Sequence, residues 1–222
     1  MRGDVLVLET STETGSVAIA RNGALVADLS FASRDPATGV RTEALAPAVV
    51  ECLGLAELPV GHLAAVVCGA GPGGFTSLRS AAAFAKGLCS GLGIPLYAVS
   101  SLELLAWTAT TPDGPFIAAL HAGRDEWFCH DANRDGDRTD LVGAAYLASD
   151  GELRARAART HSRLVGPGLE FDIGPHARAT VPRLHDIEMR GPVDIDSWEP
   201  TYGRLAEAQV KWEAAHGRPL TA

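Results

Sequence analysis

The chain has 222 residues, 46% of them hydrophobic, which is enough for one large domain or two small lobes with a proper core. A net charge of -8 and a pI near 5.3 exclude a protein that grips nucleic acid through its own surface, because phosphate binding needs clustered Lys and Arg. An acidic chain can still act on RNA when a partner supplies the basic surface.

The first strand is expected over Asp4–Glu9, ended by the polar turn TSTETG. The segments SVAIAR and ALVADLSFA follow, joined at Asn22-Gly23, a hairpin dipeptide whose residues both tolerate positive φ. A loop over Ser33–Val40 leads to a helix in which Leu45, Val49 and Leu53 recur at helical spacing, with Pro47 either kinking it or sitting in its first turn. A strand over Leu63–Cys68, a glycine loop, a helix from Thr76 to about Leu92, the strand IPLYAV and the helix SLELLAWTA complete the order β-β-β-α-β-α-β-α. That order builds a ribonuclease-H-like or actin-like lobe, a mixed sheet with helices on both faces.

The turn cluster TPDGP marks a boundary after Thr110. FIAALHA, EWFCHDA and RTDLVGA read as a second meander, with NRDGD as one hairpin turn. Alternation along EWFC sends Trp127 and Phe128 to opposite faces, so only one of them is expected in the lobe core. Between Leu147 and Pro200 periodicity is weak, and only a short helix near Glu152–Ala158 is expected. A final helix is expected over Leu205–Ala215.

Asp4 interrupts the first apolar run, and no secretory, lipidation or membrane-spanning segment is visible, so a cytoplasmic chain is expected. Cys52, Cys68, Cys89 and Cys129 are widely spaced among apolar neighbours and form no C-x-x-C. They read as buried free thiols, and no histidine spacing fits a metal.

Gly69, Gly71 and Gly74 spell G-x-G-x-x-G after a strand and before a helix, which is the context of a dinucleotide fingerprint. The context then fails. Three strands and a helix precede the motif, Pro72 removes an N–H, and the next strand ends in Ser100 and Ser101 where a ribose-binding acid belongs. No G-K-[ST] follows, so it is no P-loop either. A tight strand-to-helix turn and a backbone nest for an anion both remain open.

The helix after the loop has two faces. Leu78, Ala81, Ala82, Ala85, Cys89 and Leu92 form the stripe expected against the sheet, while Ser80, Ala83, Gly87 and Gly91 form a small-residue ladder on the other side.

The segments VLVLETSTETGSVAIARNG, GAGPGGFTSLRSAAAFAKGL, IPLYAVSSLELLA and EPTYGR together resemble the bacterial TsaB (YeaZ) family of tRNA threonylcarbamoyladenosine biosynthesis proteins. The match is good from residue 4 to about 108, patchy to 132 and thin until Glu199–Arg204. It implies an α/β, two-lobed actin-like ATPase fold, with an N-terminal ribonuclease-H-like lobe over residues 1–108 and a smaller degenerate lobe with a C-terminal helix over 109–222. It also implies a non-catalytic subunit without cofactor or metal. That subunit would bind the catalytic paralogue TsaD as a heterodimer, reach TsaE and tRNA through the complex, and be able to form a homodimer.

Where TsaD carries a metal-binding His-x-x-x-His, this chain has Ser101 and Leu105. By the same resemblance Arg79, Ser80, Ala83, Gly87 and Gly91 form the partner interface, against a face left to water with Gly91 and Gly93 merely ending the helix. Thr10, Ser11, Thr12, Gly73 and Gly74 are then the candidates for a residual nucleotide contact, against an ordinary Ser/Thr turn. Glu9, Arg41, His121 and Gly123 depart from the family pattern. The alternative is a stand-alone nucleotide-binding enzyme of the same fold, a kinase or peptidase.

Overall fold

The computed structural model describes residues 1–32 and 44–202. The first sheet holds β1 (Asp4–Glu9), β2 (Thr14–Arg21), β3 (Ala24–Ala32), β4 (Leu63–Gly69) and β5 (Leu96–Val99) in the order β3-β2-β1-β4-β5. β1, β2 and β3 are an antiparallel meander that turns at Asn22 (φ 52) and Gly23 (φ 81), while β4 and β5 join in parallel. This is the ribonuclease-H-like order read from the sequence. α1 (Leu45–Leu55) connects β3 to β4, and α2 (Phe75–Leu92) connects β4 to β5. Pro47 lies in the first turn of α1, where its missing N–H has no intrahelical partner to lose.

Both faces of this sheet are covered. Leu6, Leu8, Val17, Ile19 and Val66 pack under Val49 and Cys52 of α1 and Ala81, Ala85 and Cys89 of α2. Val5, Val7, Ala18, Ala20 and Val67 on the other face meet Ala177, Val181, Leu184 and Ile187. Those four come from a 3₁₀ segment (Ala177–Arg183) and α5 (Leu184–Met189), so the chain returns to the first sheet after building the second. The sequence reading contained neither element.

The second sheet has the order β8-β7-β6-β9, from β6 (Gly114–Gly123), β7 (Glu126–Asp135), β8 (Arg138–Ser149) and β9 (Arg163–Val165). α3 (Ser101–Thr108) lies between the sheets: Leu104 packs on the first, and Leu102, Leu105 and Ala106 on the second. A helix wedged between two layers is apolar on most sides, and its start is set by a capping box between Ser100 and Glu103. α4 (Asp150–Thr160) covers the far face of the second sheet and begins with a second capping box, Ser149 with Glu152. It extends beyond both ends of the expected Glu152–Ala158.

Trp127 and Phe128 correct one expectation. They do point to opposite faces, but both are buried, at 8% and 7% exposure. Phe128 packs against α3 and Trp127 against α4, because helices cover both faces of this sheet. The loop Ser33–Val40, Arg41 and the final helix Leu205–Ala215 lie outside the described residues.

On the α4 side, Asp131 of β7 accepts from Arg156 and from the Tyr146 hydroxyl (2.7 Å), with the Arg156 guanidinium stacked 4.8 Å from the Tyr146 ring centre. Burial alone would raise the Asp131 carboxyl. The hydrogen bonds from Arg156 and Tyr146 outweigh it and hold the group below its ordinary range. A depressed folded pKa stabilises above the unfolded value and is lost as pH falls. Asp131→Asn should therefore cost about 1 kcal/mol near neutrality, the partly exposed Arg156 limiting the effect. The cost should shrink as pH drops below 3.8, which urea titrations at two pH values can check.

Candidate functional site

The carboxyl ends of the neighbouring central strands β1 and β4, the start of α2 and the start of α3 converge at one end of the first sheet. Glu9, the last residue of β1, is 1% exposed and accepts from the Ser11 N–H (2.5 Å) and the Ser101 hydroxyl (2.9 Å). Ser101 Oγ in turn accepts from the Gly71 N–H at 3.2 Å. One buried carboxylate thus ties the β1 turn, the glycine loop and α3 together. The sequence reading noted Glu9 as a strand end and a departure, and Ser101 as standing where a ribose-binding acid belongs and as a lost metal ligand, without pairing the two. The physical signal for their pairing was an acid closing an otherwise apolar strand.

The glycine loop answers to close approach. A side chain on Gly73 would collide with the Ser11 backbone, and Gly71, at φ 82, faces the Thr201 carbonyl with no room for a Cβ. The Gly74 N–H donates to the Ser11 carbonyl at 2.8 Å, and Ser101 takes the Gly71 N–H. Two of the loop's amides are therefore engaged inside the protein, which favours the tight-turn reading of the motif. α2 begins at Phe75, one residue before the expected Thr76, with Gly74 as its N-cap, and ends at Gly93 (φ 66). Of the remaining turn candidates, Thr10 donates its hydroxyl to the Ser77 carbonyl (3.1 Å) and Thr12 to the Thr14 carbonyl (2.8 Å), and the buried Ser11 hydroxyl meets no hydrogen-bond partner of good geometry among the described residues.

A cleft of about 760 Å³ opens between the two sheets beside this turn. Its lining includes Ser11, Thr12, Thr14, Thr76 and Ser77, two acids (Glu13 and Asp172) and two histidines (His121 and His176), and none of the described residues lining it is Lys or Arg. A nucleotide triphosphate, the ligand implied by an actin-like ATPase fold, needs cationic or metal-backed phosphate contacts there. Among the described residues the lining does not fit that group, since it offers no Lys or Arg, and Glu9 is turned into the protein. Among the described residues no group of three or more His, Cys, Asp or Glu could hold a metal ion.

Ser30, His176 and Asp28 come together at the cleft rim, with Ser30 Oγ 3.1 Å and Asp28 Oδ2 3.6 Å from His176 Nε2. The wiring is unlike that of a hydrolase triad. His176 Nδ1 accepts the Arg178 N–H (3.2 Å), capping the 3₁₀ segment, so the ring carries its proton on Nε2, facing Ser30. Burial, aided by Arg178, pushes the imidazole below its ordinary range, with Asp28 opposing, and the ring is neutral near pH 7. A neutral ring with Nε2 protonated cannot take the Ser30 proton. His121 is also wired locally, its Nδ1 accepting the Gly123 N–H (3.2 Å) and its ring edge-on to Trp127.

The outer face of α2 is separate from the cleft. Ser80, Ala83, Gly87 and Gly91 are all exposed, as is Arg79, while Leu78, Ala81, Ala82, Ala85 and Cys89 are buried against the sheet. A Cβ added at Gly87 or Gly91 would meet nothing within 4 Å. On the same side of the sheet α1 exposes Val50 (69%) and Leu55 (60%), which the sequence reading passed over. The EPTY segment reaches the start of α2: the Phe75 and Tyr202 rings lie 4.6 Å apart, with Arg79 against both. All four cysteines are free and buried, and burial raises their thiols, those of Cys52 and Cys89 to about 11. No helix of the described residues is long and apolar enough to cross a membrane.

Residues 38–164, more than half of the chain, match the family model of TsaD, tRNA N6-adenosine threonylcarbamoyltransferase. The tRNA threonylcarbamoyladenosine biosynthesis protein TsaB of Escherichia coli is 29% identical over 146 residues, covering 62% of this chain and 61% of that protein, about three-fifths of its length. The protein of the same name from Bacillus subtilis is 26% identical over 239 aligned positions, covering 94% of this chain and 97% of that one. A solved structure from Pseudomonas aeruginosa, described as an uncharacterized protein with similarity to peptidase YeaZ, superposes with a TM-score of 0.74. Its sequence identity is 25%, over 91% of this chain and 100% of that one. The matched stretch runs from before α1 to the second sheet and includes the glycine loop, α2 and Ser101. With the ribonuclease-H-like sheet order, it shows that the chain belongs to the TsaD family, in its TsaB (YeaZ) branch.

Proposed function

We propose that this chain is a non-catalytic cytoplasmic subunit of the machinery that makes threonylcarbamoyladenosine in tRNA, and that it binds and supports a TsaD-type catalytic subunit. The observation that carries the reading is what stands at the catalytic relative's histidine positions. Ser101 is fully buried and spent on Glu9, and Leu105 is fully buried in the core between the sheets. Neither side chain can hold a metal there.

The first lobe, residues 1–108, would present the outer face of α2 to the partner. Arg79, Ser80, Ala83, Gly87 and Gly91 lie on that face, and a second copy of the chain is an alternative occupant. Residues 109–222 would form the smaller lobe, apart from the return over 177–189, which packs on the first sheet. Contact with TsaE and tRNA would come through the complex, as the charge of -8 suits a chain that leaves RNA to others. The stand-alone kinase or peptidase reading gains no support from the described lining of the cleft, which holds no Lys or Arg and in which Ser30 faces the protonated nitrogen of His176. Co-expression with the same organism's TsaD is expected to yield a stoichiometric complex, with no ATP turnover by this chain alone. A chain that stays alone while hydrolysing ATP would overturn the proposal.

A further inference from the structure

We infer that Arg79 is a carboxylate-reading contact, which takes an Asp or Glu side chain of the TsaD-type subunit on the outer face of α2. The inference rests on the partner reading above and adds the chemistry of one contact.

Arg79 is held before any partner arrives. Its guanidinium lies 4.3 Å from the centre of the Phe75 ring and 5.5 Å from that of Tyr202, and its Nε donates to the Tyr202 hydroxyl at 3.3 Å. That hydroxyl donates onward to Glu199 at 3.3 Å. Glu199 is thereby engaged, and among the described residues Arg79 makes no ion pair with an acid. The aromatic contacts and the Nε bond restrict the long side chain, so little rotamer entropy is left to lose on binding. The terminal nitrogens remain as a planar fork, the geometry that receives two oxygens of one carboxylate.

The choice between a protein carboxylate and a nucleic-acid phosphate follows from the surroundings. Arg79 heads a four-residue row with Ala83, Gly87 and Gly91, all exposed, and no second cation stands on that row. Lys86 lies on another row, 6.0 Å from the Trp198 ring centre. A polyanion is held by several cations together, and among the described residues this row offers Arg79 by itself, in a chain of charge -8. One oriented Arg at the end of a small-residue seam instead suits a protein interface, where Arg is enriched and single charge pairs set register.

The test measures binding of the full chain to the same organism's TsaD by calorimetry at low and high salt. Arg79→Ala is expected to weaken association roughly 30-fold or more and to flatten the salt dependence. Arg79→Lys should fall between, since an ammonium keeps the charge without the fork. Tyr202→Phe, which keeps the ring and removes the orienting hydroxyl, should lose only a few-fold. An Arg79→Glu chain should recover binding with one TsaD variant in which an acid is changed to Arg. Free variants that melt like the parent exclude a folding defect. If the parent chain binds and Arg79→Ala binds equally well with the same salt slope, this inference falls and the partner reading stands. If Arg79→Ala keeps its affinity for TsaD but the complex loses tRNA in a gel shift, the contact belongs to RNA and the inference also falls. If the parent chain itself fails to bind TsaD, the partner reading falls and takes this inference with it.

Discussion

Replacing Glu9 with alanine should lower the stability of this chain by about 3 kcal/mol and its melting temperature by roughly 6–12 °C. The carboxylate is 1% exposed, and it accepts the Ser11 N–H and the Ser101 hydroxyl. Alanine would leave both donors buried without an acceptor, at about 1–3 kcal/mol each, and would open a cavity beneath the glycine loop. No neighbour can fill that space cheaply, because Gly69 sits directly against the carboxylate with a backbone fixed in β4.

Glu9→Gln is the informative companion, because it keeps the shape and removes the ionisation. Burial raises the Glu9 carboxyl above 4.5, more than its hydrogen bonds from Ser11 and Ser101 lower it. A carboxyl with a raised folded pKa stabilises the fold fully below the unfolded value, and the contribution is lost as pH climbs toward the folded one. The Gln variant should therefore gain on the parent as pH rises from 4.5, a window that urea unfolding at several pH values can follow. A deficit that grows with pH instead would mean that Glu9 is ionised in the fold, its hydrogen bonds outweighing burial.

The first sheet and its connecting helices were legible in the sequence because each of their signals is local. Asn22-Gly23 marks a hairpin by its own backbone preferences, and the 78–81–85–89 stripe marks a helix by its period. The return of residues 177–189 to the first sheet was not legible, although Ala177, Val181, Leu184 and Ile187 recur at helical spacing. Pro175 and Pro182 interrupt the pattern, and a six-residue helix draws its stability from packing rather than propensity. Burial of both Trp127 and Phe128 depended on α4, whose position over the second sheet no local pattern states. At the site, the α2 faces were read correctly from period alone. The Glu9–Ser101 bond spans 92 residues, and the meeting of Phe75, Arg79 and Tyr202 spans more than 120, so neither could be read from spacing along the chain.

Gly87→Arg should make the free chain slightly more stable and abolish the association with TsaD proposed above. Glycine inside a helix costs about 1 kcal/mol relative to alanine, and arginine is nearly as good a helix former as alanine. Gly87 is exposed, and a Cβ there meets nothing within 4 Å, so the monomer gains most of that propensity without a clash. Association is another matter. Small residues at Ala83, Gly87 and Gly91 allow a partner helix to approach closely, and packing along such a seam accumulates many weak contacts. A long charged side chain at its centre would hold the two helices apart and bury an unpaired charge, which should weaken binding more than roughly a hundredfold. Ala83→Arg separates the two effects. Alanine already has the highest helix propensity, so this variant should leave stability within about 0.5 kcal/mol while losing the partner equally. Circular dichroism melts of both variants, with size-exclusion chromatography against TsaD and against the chain itself, decide the matter. Two folded variants that still pair like the parent would remove this face of α2 from the interface, and loss of self-association alone would make it a surface for a second copy of the chain.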